Sequence, residues 1–467
     1  MRFSSAQLSP LRLPGFRNLF FATLGSSFGT MLAAVALAID VKDRTDSGLW
    51  VFGVLAVEFL PTIFVGLLLG PLLDRLERRS LMIAADALRV GVFVALPFAP
   101  SAAAVVGLAL VAGLATGFFR PAVYAGIPNL VPGEELPRAN ALLQTVENMS
   151  WAIGPLLGGV LTAAAGPALP YGINAVSFAV SIALLVRIPP RLLQSERALS
   201  RGHWRDLGDG FAAALRSPSM RTVLVAWGIA SLGVGGAQVA TIFLAKDSLS
   251  GGDIGYGLLY GATGAGLVLG SFASALLLAR YGLAIVYGGS LTVMALGYVS
   301  AAVSPGIWVA AAFCVVLGVG NGAAVACNAL LVQRGTFDLM RGRALTFVMS
   351  ATFLLLGIGE GLGGLFLHLG TGSRWLWAGA GGMMFLSAIA GLVLARRLGG
   401  EAAAPAEVAQ AERARASEAS RAAPPEVRPS TTAVSAALRA EGHTEAGVGL
   451  RLATPPGGNS PIRKRRR

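Results

Sequence analysis

The sequence predicts an all-α polytopic membrane protein: twelve transmembrane helices arranged as two six-helix pseudo-repeats, followed by a disordered C-terminal tail. Three observations lead there. The 467 residues are 54% apolar and only 13% charged, against roughly 25% charged in an average soluble domain. Twelve continuous apolar runs are present, each near the roughly 20 residues that a helix needs to cross a bilayer core of about 30 Å. When these runs are threaded back and forth, the basic residues collect on one side. Together these features exclude a soluble globular domain, a disordered chain and a protein with a single anchor. The runs are too long and too continuous for barrel strands.

The runs lie at approximately 16–40, 48–72, 78–98, 102–130, 137–165, 167–187, 219–246, 253–279, 282–303, 305–333, 341–367 and 373–396. The first is too long for a signal-peptide core and lacks a small-residue cleavage site, so it is expected to stay in the protein. The second ends in a charged turn that starts at Gly70. The third carries Asp86 and Arg89, and the fourth carries Arg120. An inner turn at 131–136 separates the fourth from the fifth, which carries Glu147 and a Gly-Pro pair. The sixth precedes a long basic loop at 188–218 that holds Arg191, Arg197, Arg201, Arg205 and Arg216. The remaining six repeat the pattern, with Glu360 inside the eleventh. The 61 glycines suit close helix packing in lipid.

With the N-terminus placed in the cytoplasm, inner segments before residue 397 hold 19 basic residues. Outer loops hold four, Lys42, Arg44, Lys246 and Arg374. Both termini are therefore expected to be cytoplasmic, in a multi-pass protein of the inner or plasma membrane. The same asymmetry accounts for the net charge of +13 without any nucleic acid. The long loop divides the chain into an N-terminal bundle (1–187), a linker (188–218) and a C-terminal bundle (219–396). A basic cytoplasmic tail follows (397–467), expected to be disordered and to touch lipid headgroups through its final Arg463-Lys464-Arg465-Arg466-Arg467. An offset of 205 residues places Gly113 and Gly117 on Gly318 and Gly322, and Arg138 on Arg343. It also places Gly154, Gly158 and Gly159 on Gly359, Gly363 and Gly364, which points to internal duplication. Parallel repeats of this kind build transporters with a site between the halves.

The loop after the second run reads Gly70-Pro71-Leu72-Leu73-Asp74-Arg75-Leu76-Glu77-Arg78-Arg79. It resembles the signature of the major facilitator superfamily, Gly-x-Leu-x-Asp-Arg-x-Gly-Arg-Arg. Gly70, Leu72, Asp74, Arg75, Arg78 and Arg79 match, and Glu77 replaces the second glycine. The resemblance implies an inner gate latch built from this loop, with Asp86 and Arg89 following it. Gly154-Pro155-Leu156-Leu157-Gly158-Gly159 resembles the antiporter signature of drug/proton exchangers, in which a flat glycine strip and a proline bend support exchange. Further segments are similar to the drug, macrolide and enterobactin exporter branch: Pro121-Ala122, Ile127-Pro128, Arg138-Ala139-Asn140-Ala141, Asn174-Ala175-Val176-Ser177-Phe178 and Gln333-Arg334. The resemblance spans about 14–396. It departs at Ala109, which aligns where many drug/proton antiporters carry an arginine.

Ionisable residues inside apolar runs are costly, about 2.5–3.5 kcal/mol each near the bilayer centre, and so mark function by default. Arg120 lies eleven residues before Val131 and Glu147 eleven after Leu136. Equal depth predicts an Arg120–Glu147 pair between the fourth and fifth helices. Glu58 and Glu360 sit in runs that the resemblance places on opposite sides of the cleft, where a carboxyl group can exchange protons or meet a cationic substrate. Asn148, Asn174, Gln238, Asn321 and Asn328 are candidate cavity hydrogen-bonding groups. Asp40 ends the first run and is expected at the interface. Cys314 and Cys327 are too far apart on one helix to bridge. The scattered histidines and cysteines give no metal spacing, so neither metal nor cofactor is expected. No Gly-x-x-x-x-Gly-Lys-Ser/Thr motif supplies an ATP motor, and no nucleophile–base cluster suggests an enzyme.

The expectation is secondary active transport: proton-coupled efflux of a small, largely apolar compound (a drug, a macrolide-like molecule or a siderophore) by alternating access. The partners are that substrate, protons and membrane lipid, with no nucleic acid and a monomeric chain. Uptake or movement of a lipid-like substrate on the same fold remains open. So does a non-transporting sensor whose tail recruits a partner.

Overall fold

The protein was analysed as a computed structural model, which describes residues 8–68, 76–193, 217–334 and 341–401. Most of the expected linker and nearly all of the tail lie outside the described residues. Twelve helices of eighteen residues or more occur among the described residues, and no strand. They are α1 (Pro14–Thr45), α2 (Gly48–Leu68), α3 (Arg78–Ala95), α4 (Ala102–Leu130), α5 (Leu136–Ala165) and α6 (Ala168–Val186). The second six are α7 (Pro218–Phe243), α8 (Gly252–Tyr281), α9 (Leu283–Ala302), α10 (Ile307–Arg334), α11 (Arg341–His368) and α12 (Ser373–Glu401). α1 and α7 open on proline, whose missing N–H is one of the unbonded groups of a first turn. Ser101 and Ser217 accept from the amides of Ala104 and Met220, capping α4 and α7. Gly166 and Gly282 follow α5 and α8 with φ of 73° and 75°, where a side chain would be strained.

Ten of these helices are long and apolar enough to cross a membrane. α2 is described only as far as Leu68. α5 is thirty residues long but less apolar, because its first half carries Arg138, Asn140, Gln144, Glu147 and Asn148. A polar half-face of that kind is tolerated when it lines a cavity instead of lipid.

Packing reproduces the duplication seen in the sequence. In the first half, α1 packs on α5 and α6, α2 on α4, and α3 on α4 and α6. In the second half, α7 packs on α11 and α12, α8 on α10, and α9 on α10 and α12. Each pairing is the earlier one advanced by six helices. The halves meet through α5 on α8 and α2 on α11, and these two contacts interchange under the same shift. The match extends to atoms. A methyl group on Gly159 would sit 2.6 Å from the Asp253 carbonyl oxygen and about as close to Gly257, and one on Gly364 would sit 2.8 Å from the Gly48 carbonyl oxygen and beside Phe52. Each partner is 205 residues from its counterpart. Only glycine permits backbones this close, and close backbones replace the hydrophobic drive that lipid removes from helix association. Odd-numbered helices start at one membrane face, called here the starting face, and end at the far face.

Candidate functional site

Two cavities lie on the inner sides of the two halves and share Trp151 of α5 and Phe353 of α11. The first, of about 220 Å³, is walled by α1, α4, α5 and α6 and contains Arg89, Arg120, Tyr124 and Glu147. The second, of about 340 Å³, is walled by the second half and includes Gln238 and Asn321. Glycine-mediated contacts between the halves run from the far face to about mid-membrane. They extend from Gly159 against Asp253 to Gly264 against Ala152, and from Gly364 against Gly48 to Gly357, 3.9 Å from Leu60. The halves are thus closed toward the far face. Arg120, ten residues from the starting-face end of α4, keeps 53% of its side chain exposed.

The structure brings Arg120 and Glu147 together. Nη2 of Arg120 donates to both carboxylate oxygens of Glu147 at 3.0 and 3.1 Å, and the Tyr124 hydroxyl donates to Oε1 at 2.9 Å. One helical turn separates Arg120 from Tyr124, so both reach the same carboxylate from α4. Charge-assisted bonds of this kind are about twice as strong as neutral ones. Tyr124 was not legible as a partner until the helix faces were known.

The far face carries a second polar arrangement, assembled from the outer-loop charges. Lys42 at the end of α1 donates to Asp247 at 2.8 Å and pairs with Asp46 at 3.0 Å. Lys246, in the middle of the π-helical turn (Leu244–Ser248) that continues α7, pairs with Asp43 at 2.6 Å and with Asp253 at 2.7 Å. Two of these four bonds cross between the halves. The other two outer basic residues are also engaged. Arg44 holds Asp40 at 2.7 Å and donates to the Ala99 carbonyl, while Arg374 donates to the carbonyls of Ala302, Ser304 and Ser248. Asp40, expected at the interface, is buried and also accepts from the Tyr171 hydroxyl at 3.1 Å.

The other candidates divide by position. Asp86 and Arg89 pair inside α3, both buried, and the Arg89 guanidinium lies 4.4 and 4.3 Å from the ring centres of Phe119 and Phe178. Arg78 donates to the carbonyls of Ala125 and Leu193, and Arg79 to those of Leu185 and Val186 at the end of α6. These partners lie in the first half and, for Leu193, at the start of the linker, so the described part of the gate loop fastens α3 to its own bundle and the chain that leaves it. Gly70, Asp74 and Arg75 lie outside the described residues. Gly154 and Gly158 face Met31, Leu32 and Val35 of α1, Gly159 faces α8, and Pro155 is buried between them. The strip therefore serves two seams at once. Glu58 lies on α2. Glu360 is fully buried beside Gly235, where α11 packs on α7, and lines neither cavity. The turn of α11 that lines the second cavity bears Phe353 and Leu356, one turn before Glu360. Among the amides, Gln238 and Asn321 line the second cavity, and Asn174 is buried against Gly29.

Known proteins agree with this architecture. Enterobactin exporter EntS of Salmonella paratyphi A is 31% identical over 182 residues, covering 38% of this chain and 44% of the exporter. The MFS-type transporter YkuC of Bacillus subtilis is 27% identical over 250 residues, covering 50% of this chain and 57% of its own length. The chain thus spans only about half the length of the curated relatives it matches. Among solved structures, the nucleoside transporter NupG (D323A mutant) superposes with a TM-score of 0.64 at 14% identity, covering 82% of this chain and 99% of its own. A bacterial homologue of the iron transporter ferroportin in an inward-facing state gives 0.63 at 17%, covering 82% and 98%. At such identities these structures establish the fold. The match to the transmembrane secretion effector family runs over residues 5–418, most of the chain, and the protein therefore belongs to that family of multi-pass major facilitator transporters.

Proposed function

We propose that the protein exports a small, largely apolar compound in exchange for protons, by alternating access across the cytoplasmic membrane. The observation that carries this reading is the carboxylate of Glu147, held by Arg120 and Tyr124 in a cavity beside halves whose glycine contacts run from the far face to about mid-membrane. In this reading the starting face and both termini are cytoplasmic, as the basic loops require. The bundles 1–187 and 219–396 rock about the cavities, with 188–218 as their tether. The substrate loads from the cytoplasm or inner leaflet while Glu147 is ionised and satisfied by its two donors. Rocking then separates the far-face ion pairs and exposes the cavity outside. A proton enters there onto a Glu147 oxygen, the Arg120 contact weakens, substrate leaves, and the return step delivers the proton inside. The gradient drives the cycle because the two states differ in proton affinity. Similarity to enterobactin exporters supports the outward direction.

Everted membrane vesicles test the reading with a panel of labelled macrolide, siderophore and lipophilic dye. Accumulation of at least one member should collapse with an uncoupler and in Glu147→Gln at unchanged expression. Accumulation that ignores both perturbations would sink the proton exchange.

A further inference from the structure

We propose that the second-half cavity is the subsite for an uncharged, aromatic-ring-bearing part of the transported molecule, while the ionisable work stays in the first-half cavity. This deepens the export reading and rests on it. The two cavities differ in chemistry although their walls are repeats of one another. The first holds Arg89, Arg120 and Glu147. The second, the larger at about 340 Å³, has no aspartate, glutamate, lysine, arginine or histidine among its described lining residues. Its walls are instead aromatic and thioether: Trp227, Tyr260, Tyr298 and Trp377, with Met294 and Met349. Tyr298 and Trp377 meet edge-on at 5.2 Å between ring centres. Ring faces and edges of this kind accept further rings at similar spacing, and methionines adapt to irregular outlines.

Polarity narrows the ligand further. Trp377 is 97% buried (3% exposed), and its indole N–H finds no acceptor in the protein. An unpaired buried donor costs about 1–3 kcal/mol, and buried tryptophans usually find a partner. A ligand acceptor, such as a carbonyl or ether oxygen, would relieve that cost. Gln238 and Asn321 add neutral donors and acceptors in the same cavity. A charged ligand group would shed water there and meet no counter-charge, which is strongly unfavourable. The volume falls within the few-hundred-Å³ range usual for small-molecule pockets. The occupant that fits is a neutral aryl unit carrying a hydrogen-bond acceptor.

Benzophenone is such a unit, two rings about one carbonyl, and it reports its own position. On irradiation the excited ketone abstracts a hydrogen atom from a nearby C–H. The resulting carbon radicals join, leaving a tertiary alcohol bonded to the protein and needing no other reactant. The full-length protein in lipid nanodiscs is irradiated with benzophenone or with benzophenone-4-carboxylate, and labelled peptides are mapped by mass spectrometry. Labelling is normalised to lipid-facing Leu276, which is 78% exposed. The neutral probe should mark Met294 or Met349 at least tenfold above the carboxylate, and Trp377→Phe should cut that labelling several-fold. Equal labelling by the two probes, or labelling at lipid-facing positions alone, overturns the assignment. The comparison of probes in the unaltered protein needs no variant, so it decides the matter even if Trp377→Phe fails to fold. Cavity labelling absent while uncoupler-sensitive flux persists removes this subsite and leaves the export reading standing. Cavity labelling present without coupled flux supports the subsite and removes the proton exchange.

Discussion

Replacing Lys42 and Lys246 together by alanine is expected to shift the resting protein toward a conformation open at the far face. Each lysine makes one bond across the halves, Lys42 to Asp247 and Lys246 to Asp43, and one within its own half, to Asp46 and Asp253. The bonds within a half survive rocking and cancel from the balance, so only the crossed pair counts. Both crossing carboxylates are 49% exposed, which places each bond in the surface class, worth about 0.2–1 kcal/mol. The lysines themselves are mostly covered, at 10% and 17% exposure, and Lys42 also lies 5.3 Å from the centre of the Phe243 ring. Each crossing bond therefore belongs near the top of that range. Losing both removes about 2 kcal/mol from the far-closed state, roughly a thirtyfold change in the ratio of states. Spin labels at Ala103→Cys and Val303→Cys, both exposed, report the separation by pulsed EPR in nanodiscs. Cys314 and Cys327, which are buried, are replaced by alanine in all samples. A longer distance should grow in the double variant and about half as strongly, in free energy, in each single variant. A distribution unchanged by the double substitution would refute the reasoning, because it would mean that glycine packing alone holds the face shut.

Three further outcomes follow from the same geometry. Gly159→Val places the valine Cβ 2.6 Å from the Asp253 carbonyl oxygen, with two methyls beyond it; it should force α5 from α8, cut flux several-fold and lengthen the same EPR distance, and Gly364→Val should do likewise through α2. Asp86→Ala leaves the Arg89 guanidinium buried without its carboxylate, which costs about 3–5 kcal/mol. Thermal unfolding of the purified protein should show this, and joint replacement by Asp86→Leu and Arg89→Met should recover much of the loss. Arg79→Ala removes two bonds to the end of α6, worth about 1.5–3 kcal/mol each at a charged donor. Faster proteolysis at the starting-face end of α3 is the readout.

The fold was legible because lipid imposes a simple rule: every crossing backbone must bond to itself, so a long apolar run is a helix. The Arg120–Glu147 approach was legible for a similar reason, since helical rise converts equal sequence distance from a turn into equal depth. Depth along one face was harder to read. Glu360 and Phe353 are seven residues apart and so share a face of α11, yet Glu360 lies about 10 Å further toward the far face, where α11 is packed against α7, while Phe353 lies at both cavities. Where a packed seam ends and a cavity begins is set by the neighbouring helices, which a uniformly apolar run does not encode. The aromatic cavity was missed because its rings come from α7, α8, α9 and α12, at spacings that no single stretch of sequence displays.

The far-face charges carried a signal that composition hid. Lys42 and Asp247 are separated by 205 residues, the same offset that relates the glycine seams. Residues near a pseudo-two-fold axis meet their own equivalents. A faithful repeat would therefore place lysine against lysine there, or aspartate against aspartate, and the far face would repel itself. Opposite signs at equivalent positions turn that repulsion into attraction. The same break in symmetry recurs deeper in the molecule, where one cavity has ionisable groups and its equivalent has rings. The glycine seams remain alike because both halves must slide on the same terms. The side chains that meet on the axis or face the cavities differ: opposite charges close the face, and ionisable groups and rings occupy separate cavities. By this argument, restoring symmetry with Asp247→Lys should be more disruptive than removing the charge with Asp247→Ala. The EPR distance for the lysine variant should exceed that for alanine, and equal distances would show that the crossed charges contribute nothing to closure.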